Sequence, residues 1–246
     1  FDLASLTKPV ATASAVMVLL EQGRLRLDQP AASILTELDT KYKRAITIRQ
    51  LLVHTSGLPA VTPKRDYRFG LKSALRRIAN CRTPAMPGGE YRYGDVGYIA
   101  LGALVQRASG LPLDAFVKEH LLDPLQMKDT WFNPPEPVRA RAAPTEQRDD
   151  RWIRGVVHDP LAYRLGGVAG NAGLFSTARD LSRFARMMLG RGSLDGSRVL
   201  SRRAVELMTS PHLLGETVRA LGWDMRSSHS INRPELFSPR AFGHGG

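Results

Sequence analysis

Apolar residues recur at helical spacing, three and four positions apart, along most of the chain. The first series covers residues 10–20 and stops near Gly23, after hydroxyl residues and Pro9 of the kind that begin helices. Thr47 and Gln50 have the spacing of a capping box, which marks the start of another helix. The pattern predicts helices over residues 10–22, 47–56, 70–81, 95–108, 113–123 and 177–189, and a short helix within residues 23–35.

Other segments lack this periodicity. Residues 130–165 carry prolines and charges in no regular order, which predicts a long irregular excursion of the kind that forms lids or binding loops. A glycine-rich loop over residues 166–173 leads into the helix that begins near residue 177. Residues 219–227 and 240–246 are typical of short strands, so the sequence confines strands to the last quarter of the chain.

Length and composition place these elements in one domain. With 246 residues and 43% hydrophobic content, the chain can bury a substantial core. Its apolar stretches are too short to span a bilayer. The first residue already lies close to a helix and the last three lack a cap or tail, so both ends look cut from a longer domain. We expect an α/β (α+β) fold in a single domain, 1–246, with part of its sheet missing at both termini.

Charge and cysteine content exclude several classes of protein. The net charge of +12 would suit an anionic partner, but the basic residues occur as scattered pairs without interleaved aromatic residues, which disfavours nucleic-acid binding. A loose association with an anionic cell wall or membrane surface fits better. The single cysteine, Cys81, excludes an internal disulfide and a four-cysteine metal site. H-E-x-x-H, P-loop and G-x-S-x-G motifs are absent, and we expect no metal and no organic cofactor.

The first ten residues contain a candidate nucleophile. Ser5 and Lys8 are three positions apart, so one helical turn brings the amine close to the hydroxyl. A serine three residues before a lysine occurs about once by chance in a chain of this length, and on this local evidence an ordinary helix start is the better explanation. His54 lies at a helix end, where its ring can bond the last carbonyl groups, and we interpret it as structural.

Three short motifs in order resolve this ambiguity: Ser5-Leu6-Thr7-Lys8, Tyr93-Gly94-Asp95 and His244-Gly245-Gly246. Together they resemble the S-x-x-K, Y-x-N/D and K-T-G or H-x-G motifs of the serine β-lactamase and penicillin-binding-protein superfamily. The stretches "TIRQLLVHTSGLP", "PGGEYRYGDVGYIALG" and "GGVAGNAGLFSTARDLSRF" are similar to its class C-like branch, which includes esterases, D-alanyl-D-alanine carboxypeptidases and D-aminopeptidases. The resemblance runs nearly end to end. It implies a β-lactamase/transpeptidase-like fold, with a helical region and an antiparallel sheet.

The resemblance also implies roles for single residues. Ser5 is the expected nucleophile, and Tyr93 and Lys8 move its proton, although the sequence leaves open which of the two is the base. Asp95 either caps a helix or orients Lys8 and contacts the substrate, and both roles stay open.

The other expected substrate-binding residues are Asn171, His244, Gly245 and Gly246. A histidine with a pKa of about 6.5 supplies only part of the fixed positive charge of the K-T-G lysine, and Gly245 lacks the threonine hydroxyl. Both changes weaken the case for a dedicated binder of penicillin or D-alanyl-D-alanine carboxylates.

The sequence therefore predicts a serine hydrolase that acts through an acyl-enzyme on ester or amide bonds, in a range that includes D-amino-acid peptides, peptidoglycan-derived substrates and β-lactams. A non-hydrolytic penicillin-binding or cell-wall-binding module is the alternative, and a basic surface-binding protein is a third hypothesis.

The resemblance implies an exported protein, because relatives are commonly exported. The resemblance assigns one oxyanion donor to Ser5 and the other to the residue after Gly246, so we expect the isolated 246-residue piece to be inactive and poorly folded.

Overall fold

The helices of this protein pack around one buried helix, α4, Val96–Ser109. The computed structural model describes residues 1–68, 70–230 and 236–246, except the side chain of Asp66. Every residue from Val96 to Val105 is buried, so α4 is surrounded by protein over its first ten residues. The predicted mixture of a helical region and antiparallel sheet is confirmed.

The chain enters the fold through a helical segment that changes geometry twice. The Ser14 hydroxyl donates to the Pro9 carbonyl five residues earlier, at 2.9 Å, within the wide π turn. The sequence predicted that a hydroxyl residue caps this helix, but no side chain does so. Instead, Asp2 Oδ1 accepts a hydrogen bond from the Ala4 N–H at 2.9 Å. The segment consists of a 3-10 turn, a π-helix and helix α1: Ala4–Leu6, Lys8–Ala13 and Ser14–Glu21.

The later helices begin close to the predicted positions. The capping box is present, since Gln50 N–H donates to Thr47 Oγ1 at 3.2 Å and Thr47 N–H donates to Gln50 Oε1 at 3.0 Å. Gly110 ends α4 in the left-handed conformation that glycine adopts without steric cost. The α-helices after α1 are α2 Ile48–Leu52, α3 Leu71–Asn80, α4 Val96–Ser109, α5 Leu113–Val117, α6 Glu136–Arg139, α7 Pro160–Arg164, α8 Ala178–Leu189 and α9 Arg202–Met208.

Shorter helical turns connect these elements. A π turn continues α5, and three 3-10 turns lie between α1 and α3. Thr177 caps α8, as expected, by accepting a hydrogen bond from the Asp180 N–H at 3.2 Å. The turns are Ala31–Ser33, Thr36–Leu38, Lys64–Tyr67 and the π turn Lys118–Leu122.

The strands form small antiparallel sheets, and their positions correct the sequence analysis. Residues 130–165 are not irregular: they contain a strand, two short helices and a hairpin. Strands also occur well before the last quarter of the chain, and residues 240–246 contribute only a single bridge, between Gly243 and Asp224. The strands are β1 Trp131–Phe132, β2 Pro144–Arg148, β3 Arg151–Arg154, β4 Leu174–Phe175, β5 Ser193–Leu194, β6 Ser197–Arg198, β7 His212–Leu214, β8 Thr217–Arg219 and β9 Asp224–Arg226.

The pairing of the strands explains why the sequence pattern did not predict those before the last quarter of the chain. β1 pairs with β4, β2 with β3, β5 with β6, and β8 lies between β7 and β9. β1 and β4 have only two residues each and are more than forty positions apart, so neither shows an alternating pattern. Their pairing depends on the packing of the whole chain.

Close backbone packing holds the glycine-rich loop against α4. A Cβ atom at Gly170 would collide with the Tyr98 carbonyl oxygen, and one at Gly102 would lie 2.9 Å from the Gly170 nitrogen. Glycine at both positions therefore lets the loop approach the helix. Within the part of the chain that is described, no helix has the length and apolar character needed to cross a membrane.

Candidate active site

The predicted pair of Ser5 and Lys8 is in direct contact. Ser5 lies in the 3-10 turn and Lys8 begins the π-helix, so the two side chains project from the same side of the segment. Lys8 Nζ donates a hydrogen bond to Ser5 Oγ at 2.7 Å. The Lys8 side chain is 0% exposed, whereas Ser5 is half-buried. The hydroxyl is thus reachable from solvent and its amine partner is not.

Three acceptors surround Lys8 Nζ. Besides Ser5 Oγ, the amine donates to Asp95 Oδ1 at 2.7 Å and to the Asn171 carbonyl oxygen at 3.1 Å. An ammonium group has three N–H bonds, so each one has an acceptor here. The buried cation is paired with the Asp95 carboxylate, which compensates part of its desolvation.

Asp95 occupies the N-cap position of α4 without capping it. No backbone N–H of the helix donates to its side chain, and its Oδ1 atom binds Lys8 instead. Of the two roles that the sequence left open, the geometry supports the contact with Lys8. The loop that carries Asp95 is fixed by its backbone, because the Asp95 N–H donates to the Ala60 carbonyl at 2.8 Å.

The Tyr93 ring lies between two imidazoles. The ring centroids of Tyr93 and His54 are 4.5 Å apart, and those of Tyr93 and His229 are 4.8 Å apart. Lys8 Nζ lies 5.1 Å from the Tyr93 ring centroid, within the range of a cation–π contact. The structure therefore brings the second motif against the first.

His54 holds the loop of residues 92–94 through contacts that the sequence did not predict. Its ring does not bond helix carbonyls; Nδ1 accepts a hydrogen bond from the Gly94 N–H at 3.3 Å, and its own carbonyl accepts from the Arg92 N–H at 2.8 Å. Burial, with a contribution from the charge of Arg219, holds the pKa of His54 well below its ordinary value. A neutral imidazole is what an acceptor at Nδ1 requires.

The glycine-rich loop forms a wall next to the Ser5–Lys8 pair. Its Asn171 is fully buried, with the carbonyl on Lys8 and Nδ2 donating to Asp159 Oδ1 at 3.1 Å. The Gly170 carbonyl accepts a hydrogen bond from the Thr12 hydroxyl at 2.8 Å. The loop is therefore tied both to the first helical segment and to the residues before α7.

The third motif, residues 244–246, lies against Tyr93 and against the turn that carries Ser5. The His244 ring centroid is 5.8 Å from that of Tyr93, and His244 Nδ1 contacts the Gly245 carbonyl at 2.6 Å. A Cβ atom at Gly246 would collide with the Leu3 carbonyl oxygen, so this glycine lies against the turn that carries Ser5. Burial lowers the pKa of His244 to about 4, and the guanidinium of Arg219 adds to that lowering. His244 is thus neutral at pH 7.

Arg219 is a site residue that the sequence analysis missed. It lies at the end of β8, is 0% exposed, and its guanidinium carbon lies 5.8 Å from the ring centroids of both Tyr91 and Tyr93. Asp224 Oδ1 is 3.5 Å from its Nη1 atom, and none of its three guanidinium nitrogens has a hydrogen-bond partner among the residues that the structure describes. Its place in the printed sequence, two residues before "LGW", carried no separate signal.

Asp2 and His158 form a pair that the sequence analysis also did not predict. Asp2 Oδ2 accepts from the His158 N–H at 2.9 Å and lies 3.0 Å from His158 Nδ1. Burial alone would raise the pKa of Asp2, but its hydrogen bonds with His158 and Ala4 outweigh burial and lower it. The hydrogen bond that the His158 ring makes to the Asp2 carboxylate raises the pKa of His158. The pair joins the chain before α7 to the turn that carries Ser5.

Other candidates remain outside the site. Cys81 is half-buried at the end of α3, as expected, and burial raises the pKa of its thiol. Among the described side chains, no group of three or more histidine, cysteine, aspartate or glutamate residues is arranged to hold a metal ion.

Comparisons with known proteins identify the family of the chain. The β-lactamase family profile matches residues 1–246. The chain belongs to the β-lactamase family. It is 30% identical to the N-acetylmuramyl-L-alanine amidase of Bacillus subtilis (strain 168) and 32% identical to a protein of Escherichia coli O157:H7 whose name is a provisional assignment as a D-alanyl-D-alanine carboxypeptidase. Both alignments cover 100% of this chain.

Solved structures show the same fold. The β-lactamase/D-alanine carboxypeptidase of Pseudomonas syringae superposes with a TM-score of 0.76 at 22% identity, over 91% of this chain and 60% of that one. The octameric penicillin-binding protein homologue of Pyrococcus abyssi gives 0.70 at 21% identity, over 91% and 52%. The chain therefore has the β-lactamase/transpeptidase-like fold. It spans 63% and 64% of the lengths of the two curated relatives named above.

Proposed function

We propose that this β-lactamase-family chain belongs to a serine hydrolase that cleaves amide or ester bonds in cell-wall-derived peptides through an acyl-enzyme on Ser5. The observation that carries the proposal is the bridge made by Lys8 Nζ, 2.7 Å from both Ser5 Oγ and Asp95 Oδ1. A serine and a lysine without a joint role would not be linked by a fully buried amine that also binds a carboxylate. The names of the relatives, an amidase and a carboxypeptidase, support the substrate class.

The geometry also favours one order of proton transfers. Lys8 Nζ contacts three oxygen atoms, one of which belongs to the Asp95 carboxylate, and this arrangement suits an ammonium donor better than a proton acceptor. Tyr93, half-buried and next to that cation, is the remaining candidate base. Ser5 Oγ attacks the substrate carbonyl carbon as its proton passes to the Tyr93 phenolate oxygen. Tyr93 returns the proton to the leaving amine or alkoxide, and water then hydrolyses the ester on Ser5.

The state of His244 narrows the substrate range. With a pKa of about 4 it is uncharged at pH 7, and Gly245 offers no hydroxyl. A carboxylate held beside His244 would therefore find no charged partner within the third motif. We therefore expect peptidase or esterase activity to exceed β-lactam hydrolysis.

Covalent labelling of the full-length protein tests the nucleophile. The protein is incubated with a serine-reactive fluorophosphonate and separately with a fluorescent penicillin, and the mass shift is read by mass spectrometry. Ser5→Ala should abolish labelling, and Ser33→Ala, which alters an exposed serine, should leave it unchanged. Labelling that persists in Ser5→Ala, or no labelling of a folded protein, would refute the proposal.

Turnover separates the hydrolase from the non-hydrolytic alternative. Peptides that end in D-alanyl-D-alanine, and p-nitrophenyl acetate, should be hydrolysed by wild type and slowed at least about 1000-fold in Ser5→Ala. Labelling of Ser5 without turnover would favour a penicillin-binding or cell-wall-binding module. Assays of residues 1–246 beside the full-length protein test the prediction that the shorter piece is inactive.

A further inference from the structure

A cavity of about 310 Å³ has in its wall His158, the residue that binds Asp2. It opens between the 3-10 turn Lys64–Tyr67, the β2–β3 hairpin and α7. Three cations and a histidine line it, with one carboxylate and one aromatic ring. These residues are Lys64, Arg148, Arg164, His158, Glu146 and Tyr163.

The wall of this cavity is bonded to the candidate active site at two points. His158 binds the Asp2 carboxylate through its backbone N–H and its ring, and Asp2 lies three residues before Ser5, a span of at most about 11 Å. Next in the chain, Asp159 accepts from Asn171, whose carbonyl binds the catalytic-site lysine. The Ala4 N–H donates to Asp2 Oδ1 at 2.9 Å, so the carboxylate that holds His158 lies beside the residue before Ser5. Three extended residues attached at Ser5 span about 10 Å, which is comparable with the separation that these bonds allow between Ser5 and the His158 wall of the cavity.

The charges in the cavity are not balanced. Arg148 is occupied: its Nη2 atom donates to Glu146 at 3.0 Å and to the His158 carbonyl at 3.3 Å, and its guanidinium stacks 4.5 Å from the Tyr163 ring centroid. Glu146 is thereby neutralised. The Asp2 carboxylate does not face the cavity charges freely, since it is 1% exposed and bound to His158.

Two cations remain for a ligand. Arg164 makes a hydrogen bond to the Pro160 carbonyl at 3.2 Å, and neither Arg164 nor Lys64 forms an ion pair with any side chain that the structure describes. Two cations without a carboxylate partner among the described side chains favour an anion in the cleft that they line. Arginine adds the planar geometry that matches a carboxylate. Because His244 is neutral, positive charge for a substrate anion has to come from elsewhere than the third motif.

We propose that this cavity is a subsite for a carboxylate on the peptide substrate, carried about three residues before the bond that is cleaved. The inference rests on the proposed function, because it needs a peptide attached at Ser5. Lys64 and Arg164 bind the carboxylate, and Arg148, held by Glu146 and Tyr163, lines the same cavity. The subsite makes the enzyme selective for acidic peptides over neutral ones.

Two synthetic peptides that differ in one group test the subsite. Both end in D-alanyl-D-alanine; one carries glutamate third from the cleaved bond and the other carries glutamine at that place. In the full-length protein, we expect kcat/KM to be about tenfold higher for the glutamate peptide, the size expected of one charge-assisted contact in a partly exposed site. The difference should decrease as salt concentration rises.

The Lys64→Gln/Arg164→Gln double variant should reduce this preference to about one. Its kcat for the glutamine peptide and for p-nitrophenyl acetate should stay at the wild-type value, because neither substrate carries the anion. The matched control is Lys41→Gln/Arg44→Gln, which removes the same charge from exposed residues on the loop before α2 and should keep the preference.

The outcomes separate this inference from the function on which it rests. Hydrolysis of p-nitrophenyl acetate and of the glutamine peptide, without any preference for glutamate, would overturn the subsite and leave the hydrolase intact. A preference that survives in the double variant, or that disappears equally in the control, would also overturn the subsite. Failure of every substrate, together with absent labelling of Ser5, would refute the proposed function and the subsite with it.

Discussion

Lys8 Nζ lies 2.7 Å from Asp95 Oδ1, and this pair joins the first helical segment to the loop before α4 across 87 residues of chain. The lysine is fully buried, whereas Asp95 keeps 23% of its side chain exposed. The contact therefore places the cation inside the protein and its counterion at the edge of the site. We expect both stability and activity to depend on it.

Asp95→Ala should lower the free energy of unfolding by about 3–5 kcal/mol, because it leaves a buried ammonium without its counterion. Loss of an ordinary N-cap would cost only about 1 kcal/mol, so the size of the effect distinguishes the two roles. Asp95→Asn keeps an acceptor oxygen and should cost less. Urea unfolding measures the free energy of unfolding of the full-length wild type and of both variants. A loss near 1 kcal/mol in Asp95→Ala would contradict the ion-pair role.

His54→Leu should lower the free energy of unfolding by about 1–3 kcal/mol, because the Gly94 N–H loses its acceptor in a buried place. It should also lower kcat, since the imidazole that packs on Tyr93 is removed. His54→Asn is the control: asparagine offers an acceptor and tolerates the left-handed backbone, φ 60°, at this position. Wild-type kcat in His54→Leu would show that His54 does not position Tyr93.

The Asp2–His158 pair should make stability depend on pH in two directions. The pKa of Asp2 is lowered by folding, so its contribution is present above pH 3.8, the value in the unfolded chain, and is lost as pH falls through the folded value. The pKa of His158 is raised by folding, so its contribution is complete below pH 6.5 and is lost as pH rises through the folded value.

His158→Gln should therefore differ most from wild type between about pH 4 and pH 6.5 and converge with it at higher pH. The measurement is the urea midpoint of both proteins from pH 3 to pH 9. A difference between the two that does not vary with pH would contradict the ion pair. His212→Gln serves as a control, because burial lowers the pKa of His212 and the sign of its pH dependence is opposite.

Arg219→Gln should raise the pKa of His244 above about 4, because the guanidinium charge is one of the causes that lower it. Titration of the histidine ring signals by NMR measures the shift. Arg219→Lys keeps the charge, and Arg226→Gln removes an exposed one, so both should leave the His244 titration close to wild type. An unchanged His244 midpoint in a folded Arg219→Gln protein would exclude this electrostatic coupling.

The helical part of the fold was predictable because its signals are local. Thr47 and Gln50 form the expected capping box, Thr177 caps α8, and α3 and α4 lie within one or two residues of their predicted ranges. Each of these features depends on residues three or four positions apart, which a periodic pattern records directly. The short strands of residues 130–165 left no such record, since their partners are far along the chain or their pattern is too short.

The amino-acid sequence by itself determined the residue types of the three motifs, their order, and the helix starts near which two of them lie. Only the tertiary structure decided what each side chain touches. In the structure, the Asp95 side chain binds Lys8 and does not cap its own helix, and the His54 ring packs against Tyr93. Arg219 and Asp2 also lie at the site, although no pattern in the sequence indicated this. The physical reason is that burial and ion pairing are set by residues distant in sequence, and a local pattern carries no information about them.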